Sequence, residues 1–378
     1  MEAPFIFQRT ATAPYFAGRK NEVSHLTTNF TLQTNTVIMS PQGWGKSSIV
    51  YAAADKAMHR DPALRFCHMD MSNVRSEVQF YILLAQCVLR TFSSGIEEAV
   101  QLAGRHFSKL TPKMVMSPAS VGGFTLDFDR ESLLRHHEEV LDLPERVAAD
   151  TGLKPVIHID DFHNSALFDD CEAFINRLDV CWRKQKSVSY CLCASRNDFM
   201  DRFLRVCRPF LIYGDKMYPE KVDRADMTAY IKERFSDTGK YIDNDLSGLV
   251  IDLVDAHPYY VQQLAALSWF RTGVVCSQEI ISAAHDSMVC QMGMIFTSLM
   301  ATFTTQQICY MHAVLAGEKV ISTAEVLHKH NITSATSASR SKAALLERNI
   351  ISRLEDNSIV FTDPIFAHWL RTRYFTMN

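Results

Sequence analysis

The segment Thr36-Val37-Ile38-Met39-Ser40-Pro41-Gln42-Gly43-Trp44-Gly45-Lys46-Ser47-Ser48 constrains this chain more than any other. A short apolar run ends in a turn holding two glycines. A lysine and paired hydroxyls follow, and then the helix-forming Ile49-Val50-Tyr51-Ala52-Ala53-Ala54. A strand, a tight loop and a helix N-terminus in this order make a cradle for phosphates. Glycine lets successive backbone N–H groups turn toward an anion, and the helix dipole favours its negative charge. In such a cradle Lys46 reaches the outer phosphates and Ser47 offers its hydroxyl to magnesium, while Gln42, Gly43, Trp44, Gly45 and Ser48 line the nucleotide. One position departs from the pattern G-x-x-x-x-G-K-[ST]: Ser40 stands where the first glycine belongs.

The cradle is useful only if a second strand ends in an acid that holds the magnesium. Pro155-Val156-Ile157-His158-Ile159-Asp160-Asp161-Phe162 supplies one. Asp160 is the expected metal residue, and Asp161, one residue on, is the expected group that polarises the attacking water. Both signals stand in the right order along the chain, which makes ATP or GTP the expected ligand.

At 378 residues the chain exceeds one ordinary core, so two or three domains are expected. The first half alternates β-rich and helical stretches, the pattern of a parallel sheet covered on both faces. Expected strands are Thr36–Met39, Leu64–Met69, Pro155–Ile159, Ser187–Ala194 and Phe210–Tyr213. Expected helices are Ser47–Met58, Val78–Thr91, Cys171–Lys184 and Asn197–Val206. Residues 109–127, with Pro112, Pro118, Gly122 and Gly123, read as an inserted loop or hairpin. From about Tyr218 the pattern turns helical: Arg224–Phe235, Leu246–Asp255 and Tyr259–Phe270. Beyond Leu299, three short helices (Thr304–Leu315, Ser322–His330, Thr336–Arg348) precede two short strands, Ile350–Leu354 and Ser358–Phe361, and a closing helix, Pro364–Tyr374. Three helices and a hairpin describe a winged helix-turn-helix. The expected division is residues 1–215, 216–295 and 296–378.

Several classes are disfavoured. The net charge of −3 argues against a globally basic nucleic-acid binder. No apolar run approaches the ~18 residues of a membrane span. The N-terminus, Met1-Glu2-Ala3-Pro4-Phe5, places an acid where a secretory signal carries positive charge, so the cytoplasm is the expected location. The ten cysteines show no CxxC pair and no zinc-like spacing, and they read as buried free thiols. Met288, Met292, Met294 and Met300 read as core.

The chain resembles AAA+-type ATPases of the STAND group, specifically the archaeal/Bacteroidetes-type ATPase family, relatives of origin-recognition ATPases. Tyr15-Phe16-Ala17-Gly18-Arg19-Lys20-Asn21-Glu22 is similar to the family's opening motif, an aromatic followed by G-R-x-x-E. Residues 40–48 resemble its form of the P-loop, in which Ser40 is ordinary. Ile159-Asp160-Asp161-Phe162-His163 resembles I-D-E-F-Q. Cys193-Ala194-Ser195-Arg196 resembles its sensor strand end, and His257-Pro258-Tyr259-Tyr260-Val261-Gln262-Gln263-Leu264 resembles H-P-x-Y-x-Q-x-L. Thr362-Asp363-Pro364-Ile365-Phe366 is similar to its closing segment. The resemblance implies an α/β P-loop NTPase domain with an AAA+-like parallel sheet, then a small helical lid and a C-terminal winged helix. It implies Gly18, Arg19 and Pro258 at the nucleotide and Arg196 as a γ-phosphate sensor. His257 then occupies the neighbourhood of a sensing arginine, and Arg205 or Arg208 is a candidate finger toward a neighbouring subunit.

Two departures bear on turnover. The family's two P-loop arginines are replaced by Gln42 and Gly43, and its glutamate by the shorter Asp161, which stands further from the attacking water. The expectation is therefore a slowly hydrolysing switch that couples Mg-ATP to domain rearrangement, working with a protein partner or by self-association. The alternative is a DNA-binding ATPase that reads through the winged helix, where Ser337, Ser339, Arg340, Ser341 and Lys342 are the candidate donors. The balance of eight Lys/Arg against six Asp/Glu beyond residue 298, with an acidic wing turn at Glu355-Asp356-Asn357, favours the first. A metabolic kinase fits poorly, since nothing after Asp161 resembles a substrate lid.

Overall fold

The computed structural model describes residues 4–7, 9–12, 15–117, 123–195, 198–353 and 358–376. The chain divides into two compact units, Thr10–Glu220 and a second made of Lys221–Asn378 with the N-terminal segment through Arg9. Phe5 ties that segment into the second unit, packing edge-on against Tyr230 and Phe235.

The first unit is built on five parallel strands: β1 (Thr36–Met39), β2 (Leu64–Asp70), β5 (Lys154–Asp160), β6 (Ser189–Ala194) and β7 (Asp215–Met217). Their spatial order is β2-β5-β6-β1-β7. Between β2 and β5 in sequence lies an antiparallel hairpin, β3 (Lys113–Met116) with β4 (Phe124–Asp127), where an insertion was expected. The central strands alternate their side chains between two buried layers. Val37, Met39, Met69, Ile157, Ile159 and Leu192 face one core. Ile38, Leu64, Val156, Cys191 and Cys193 face the other, under helices α1 (Lys20–Thr31) and α2 (Lys46–Arg60). Helix α2 carries three consecutive alanines, which lose no side-chain entropy, and ends in His59 and Arg60, which suit the dipole.

Four of the five expected strands form where the sequence places them. Phe210–Tyr213 does not. Pro209 opens a short helix, Arg208–Leu211, that buries Phe210 and leaves Leu211, Ile212 and Tyr213 exposed. The fifth strand is the polar β7 beyond it, fixed by the Asn29 amide, which donates to Asp215 at 2.7 Å. A three-residue edge strand with Lys216 at its centre also limits unwanted edge pairing.

The second unit begins with the helices Arg224–Ser236, Asn244–Asp252 and Pro258–Arg271, as the periodicity predicts. A helix the sequence did not announce follows, Gln278–Met300. The expected division between residues 295 and 296 falls inside it. Met288 and Met300 are core residues of this helix, but Met294 is 84% exposed, so the methionine cluster is only partly internal. Then come Thr305–Leu315, Ala324–Lys329 and Ala335–Glu347, with β8 (Ile351–Arg353) paired to β9 (Ile359–Phe361). Thr304 and Gln307 form a reciprocal capping box at the first of these helices. This is the expected winged helix; the wing turn at residues 355–357 lies outside the described residues. The closing helix, Pro364–Trp369, sets Phe366 and Trp369 against Phe296. Among the described residues no helix is long and apolar enough to cross a membrane.

Candidate nucleotide site

Gly43 and Gly45 hold φ of 77° and 86°, the left-handed region where a side chain is strained, and Gly45 is the N-cap of α2. The loop between β1 and α2 therefore turns sharply, and its helix presents its free N–H groups at the loop mouth. Lys46, the first residue of α2, is buried and donates from Nζ to the carbonyls of Ser40 (2.8 Å) and Pro41 (3.1 Å). Burial pushes its ammonium down, opposed by Cys193, Asp160 and Asp161 nearby. Ser47 Oγ donates to Asp160 Oδ2 at 2.5 Å, so the loop and the end of β5 meet at one point.

Acidic groups crowd that point. The register sets Asp70, at the end of β2, beside Asp160 at the end of β5. Asp161 follows with φ of 53° and donates its N–H to Asp160 Oδ1 at 3.1 Å. Aspartate tolerates this left-handed conformation far better than a longer side chain, because its short polar group bonds locally. Burial, then the Asp160 charge, raises the Asp161 carboxyl above the ordinary aspartate range. Hydroxyl and carboxylate oxygens beside a buried ammonium are donors that suit magnesium and phosphate oxygens respectively. These residues fit a magnesium nucleotide.

The other expected residues are placed as follows. Arg19 is buried, with φ of 61°; its guanidinium donates to Glu22 at 2.9 Å, to the Trp44 carbonyl at 3.1 Å, and to the Glu220 carbonyl. It braces the phosphate loop. Gly18, before it, also has positive φ. Gln42 is exposed and Trp44 half-buried. The Ser48 hydroxyl accepts from the Ala11 N–H at 3.0 Å, so it fastens the segment before α1 to the start of α2. In the second unit, Pro258 is the buried first residue of its helix, next to buried His257. Arg196 lies outside the described residues; Ser195, just before it, donates its N–H to His163 Nδ1 at 3.3 Å. Arg205 and Arg208 are exposed.

His163 and Asp70 were not singled out from sequence. Burial lowers the His163 imidazole, with the Asp161 charge opposing, so a near-neutral ring lies between the Asp161 carboxyl and the end of β6. Its signal was the last position of Ile159-Asp160-Asp161-Phe162-His163. Asp70 had none, because strand register is not written in local sequence.

A parallel sheet with a glycine-rich loop at the end of β1, an acid at the end of a strand two places away, a helical region and a winged helix define a P-loop NTPase of STAND or AAA+ type. Residues 6–270 match the family model Novel STAND NTPase 1, and residues 294–372 match the one described as Probable winged helix domain. The chain belongs to the novel STAND NTPase 1 family. Nucleotide binding follows from that membership. Among solved structures it is similar to a Walker-type ATPase of Pyrococcus abyssi, at 13% identity, with 97% of this chain and 99% of that one covered and a TM-score of 0.68. The ORC2 protein of Aeropyrum pernix, in ADPNP–ADP complexes, is similar at 9% identity over 98% and 99% of the two chains, TM-score 0.59. The ORC1 protein of the same organism, in complex with DNA, is similar at 10% identity over the full length of both, TM-score 0.53. At such identities the likeness is one of fold. No curated protein sequence matches the chain.

Proposed function

We propose that this protein is an ATP-binding, slowly hydrolysing switch. The observation that carries the reading is the 2.5 Å bond from Ser47 to Asp160, which joins the phosphate loop to the acidic strand end. Ser47 and Asp160 would hold magnesium, and Lys46 would exchange its two loop carbonyls for phosphate oxygens. Bound magnesium would neutralise charge on the phosphates and orient them for in-line attack. Asp161 takes the proton of the attacking water; its raised proton affinity suits a base, while its short side chain limits how closely it reaches. Gly18, Arg19, Gln42, Gly43, Trp44, Gly45 and Ser48 form the wall of the site, with Arg19 setting the loop. Arg196 senses the γ-phosphate, and Pro258 closes on the base from residues 216–295, the lid. Residues 296–378 then move with the lid and expose or cover a surface for a protein partner.

The test is which nucleotide co-purifies with the protein. Retained ADP that Lys46→Ala releases supports a switch, whereas a partner-free steady-state rate above ~1 per second would overturn it.

A DNA-binding ATPase is the second reading, favoured by the ORC1 neighbour having been solved with DNA. Two of its candidate donors are committed inward: Ser341 is buried, and Ser337 Oγ donates to Gln306 at 3.0 Å. Steep loss of DNA affinity between about 50 and 200 mM salt would favour it.

A further inference from the structure

The sheet face under α1 and α2 carries an unusual row of side chains for a core. His158 sits two residues before Asp160 on β5, so both point to this face, and Cys193 on the adjoining β6 points there too. One ligand-type atom from each of His158, Asp160 and Cys193, a nitrogen, an oxygen and a sulfur, lies within 4.8 Å of the other two. His158 and Cys193 are both 0% exposed, and Asp160 is the member in reach of solvent.

His158 adds an independent indication. Its Nδ1 is 3.0 Å from Nδ1 of His68 on β2, so one ring donates to the other. Its Nε2 is buried and meets no nitrogen or oxygen partner among the described residues, and the ring's other polar neighbour is the Cys193 thiol. In the tautomer whose Nδ1–H donates to His68, Nε2 of His158 keeps a lone pair for a metal. Metal-binding histidines are held in this way by a partner on the far nitrogen.

We propose that His158 Nε2, Cys193 Sγ and the Asp160 carboxylate form a site for zinc(II) directly beneath the phosphate loop. Zinc accepts nitrogen, sulfur and oxygen donors at about 2.0–2.3 Å, which spaces tetrahedral ligands roughly 3.3–3.8 Å apart. Side-chain rotation of about an ångström closes the present cluster to that size. The fourth position faces the loop and takes water. Magnesium does not compete for this inner place, since it demands oxygen ligands in an octahedron. Cys193 binds as thiolate, its proton leaving to solvent as the metal enters.

Asp160 belongs to both arrangements. A carboxylate turned inward to zinc is drawn from Ser47, so zinc and the magnesium nucleotide oppose each other, and zinc holds the protein in its nucleotide-poor state. This antagonism rests on the nucleotide reading above; the metal site does not.

Cobalt(II), a spectroscopic stand-in for zinc, tests the site in the full chain. One equivalent is expected to give a near-ultraviolet sulfur-to-cobalt charge-transfer band that zinc abolishes. Cys193→Ala is expected to lose the band with its far-ultraviolet circular dichroism unchanged, whereas Cys191→Ala and Cys290→Ala keep it. A band that survives Cys193→Ala, or no band in the wild type, overturns the proposal. His158→Gln, which keeps a polar side chain toward His68, is a second variant; a loss of zinc affinity of at least about tenfold by chelator competition supports the site and an unchanged affinity overturns it. Stoichiometric zinc is expected to weaken binding of a fluorescent ADP analogue with magnesium by about tenfold or more in the wild type and not in Cys193→Ala. Unchanged ADP affinity in zinc-loaded wild type overturns the antagonism. Failure of ADP to bind without zinc would instead overturn the nucleotide reading, with the cobalt spectrum still deciding the metal site.

Discussion

At Asp161 a sequence departure and a backbone conformation explain each other. The chain turns into the left-handed region at φ of 53° just past β5, where aspartate and asparagine are the least strained non-glycine residues. Asp161→Asn should therefore fold as the wild type does and still retain nucleotide, while single-turnover hydrolysis falls by about a hundredfold or more, the usual reach of a general base. Loss of nucleotide retention in that variant would show that Asp161 serves binding instead. The direction of the Asp161 shift also fixes a pH effect. Burial, then the Asp160 charge, raises the carboxyl, so on the proposed role of Asp161 as base the acid limb of the hydrolysis profile should lie above the ordinary aspartate range. A pH series of single-turnover rates on the wild type reads it directly.

At the scale of elements, one buried carboxylate anchors the segment that leads into the inserted hairpin. Glu139, in the helix His137–Leu141, accepts from the N–H groups of Ser108 (3.1 Å), Lys109 (3.1 Å) and Leu110 (3.3 Å), as well as from the Ser108 hydroxyl. Burial pushes this carboxyl up, but the hydrogen bonds together outweigh it and hold it below the ordinary glutamate value. A depressed folded value stabilises above the unfolded one, and that contribution disappears as the pH falls through the folded value. Glu139→Gln should cost about 2 kcal/mol near neutrality, because an amide nitrogen would face N–H donors. The difference from wild type, followed by chemical denaturation, should shrink as the medium becomes acidic below the glutamate range. A gap that widens on acidification would contradict the assignment. In the second unit, Asp255 and Ala256 both hold φ of 51° in the turn ahead of His257. Alanine gains nothing from its side chain there, so Ala256→Gly should be neutral to stabilising by up to about 1 kcal/mol in thermal unfolding.

For the whole molecule, a ligand that binds only the folded chain must stabilise it. At a hundred times its dissociation constant, magnesium ADP should add about 2.7 kcal/mol, which for a unit of roughly 200 residues is about 5–10 °C. Lys46→Ala should abolish the shift without lowering the nucleotide-free melting temperature much, since its ammonium is buried at a desolvation cost. An undiminished shift in that variant would place the nucleotide elsewhere.

Much of this was already written in the sequence, because the determinants are local. A strand, two glycines and Lys46-Ser47 at a helix start need only near neighbours, as do the Thr304–Gln307 capping box and the two-sided apolar strands. Local reading failed where burial decided the outcome. Leu211-Ile212-Tyr213 is apolar enough for a strand but lies exposed, because Pro209 turns the chain away from the sheet and leaves the edge to a polar segment. Spacing along the chain likewise gave the cysteines no metal partner. Only the register of β2, β5 and β6 gathers Asp70 beside Asp160 and sets His158 and Cys193 beneath them. Residues 70, 158 and 193 share no local segment, and parallel pairing across long connections is fixed by packing of the whole sheet. The sequence by itself thus determined the phosphate loop and its acid, and the tertiary structure decided what else surrounds that acid.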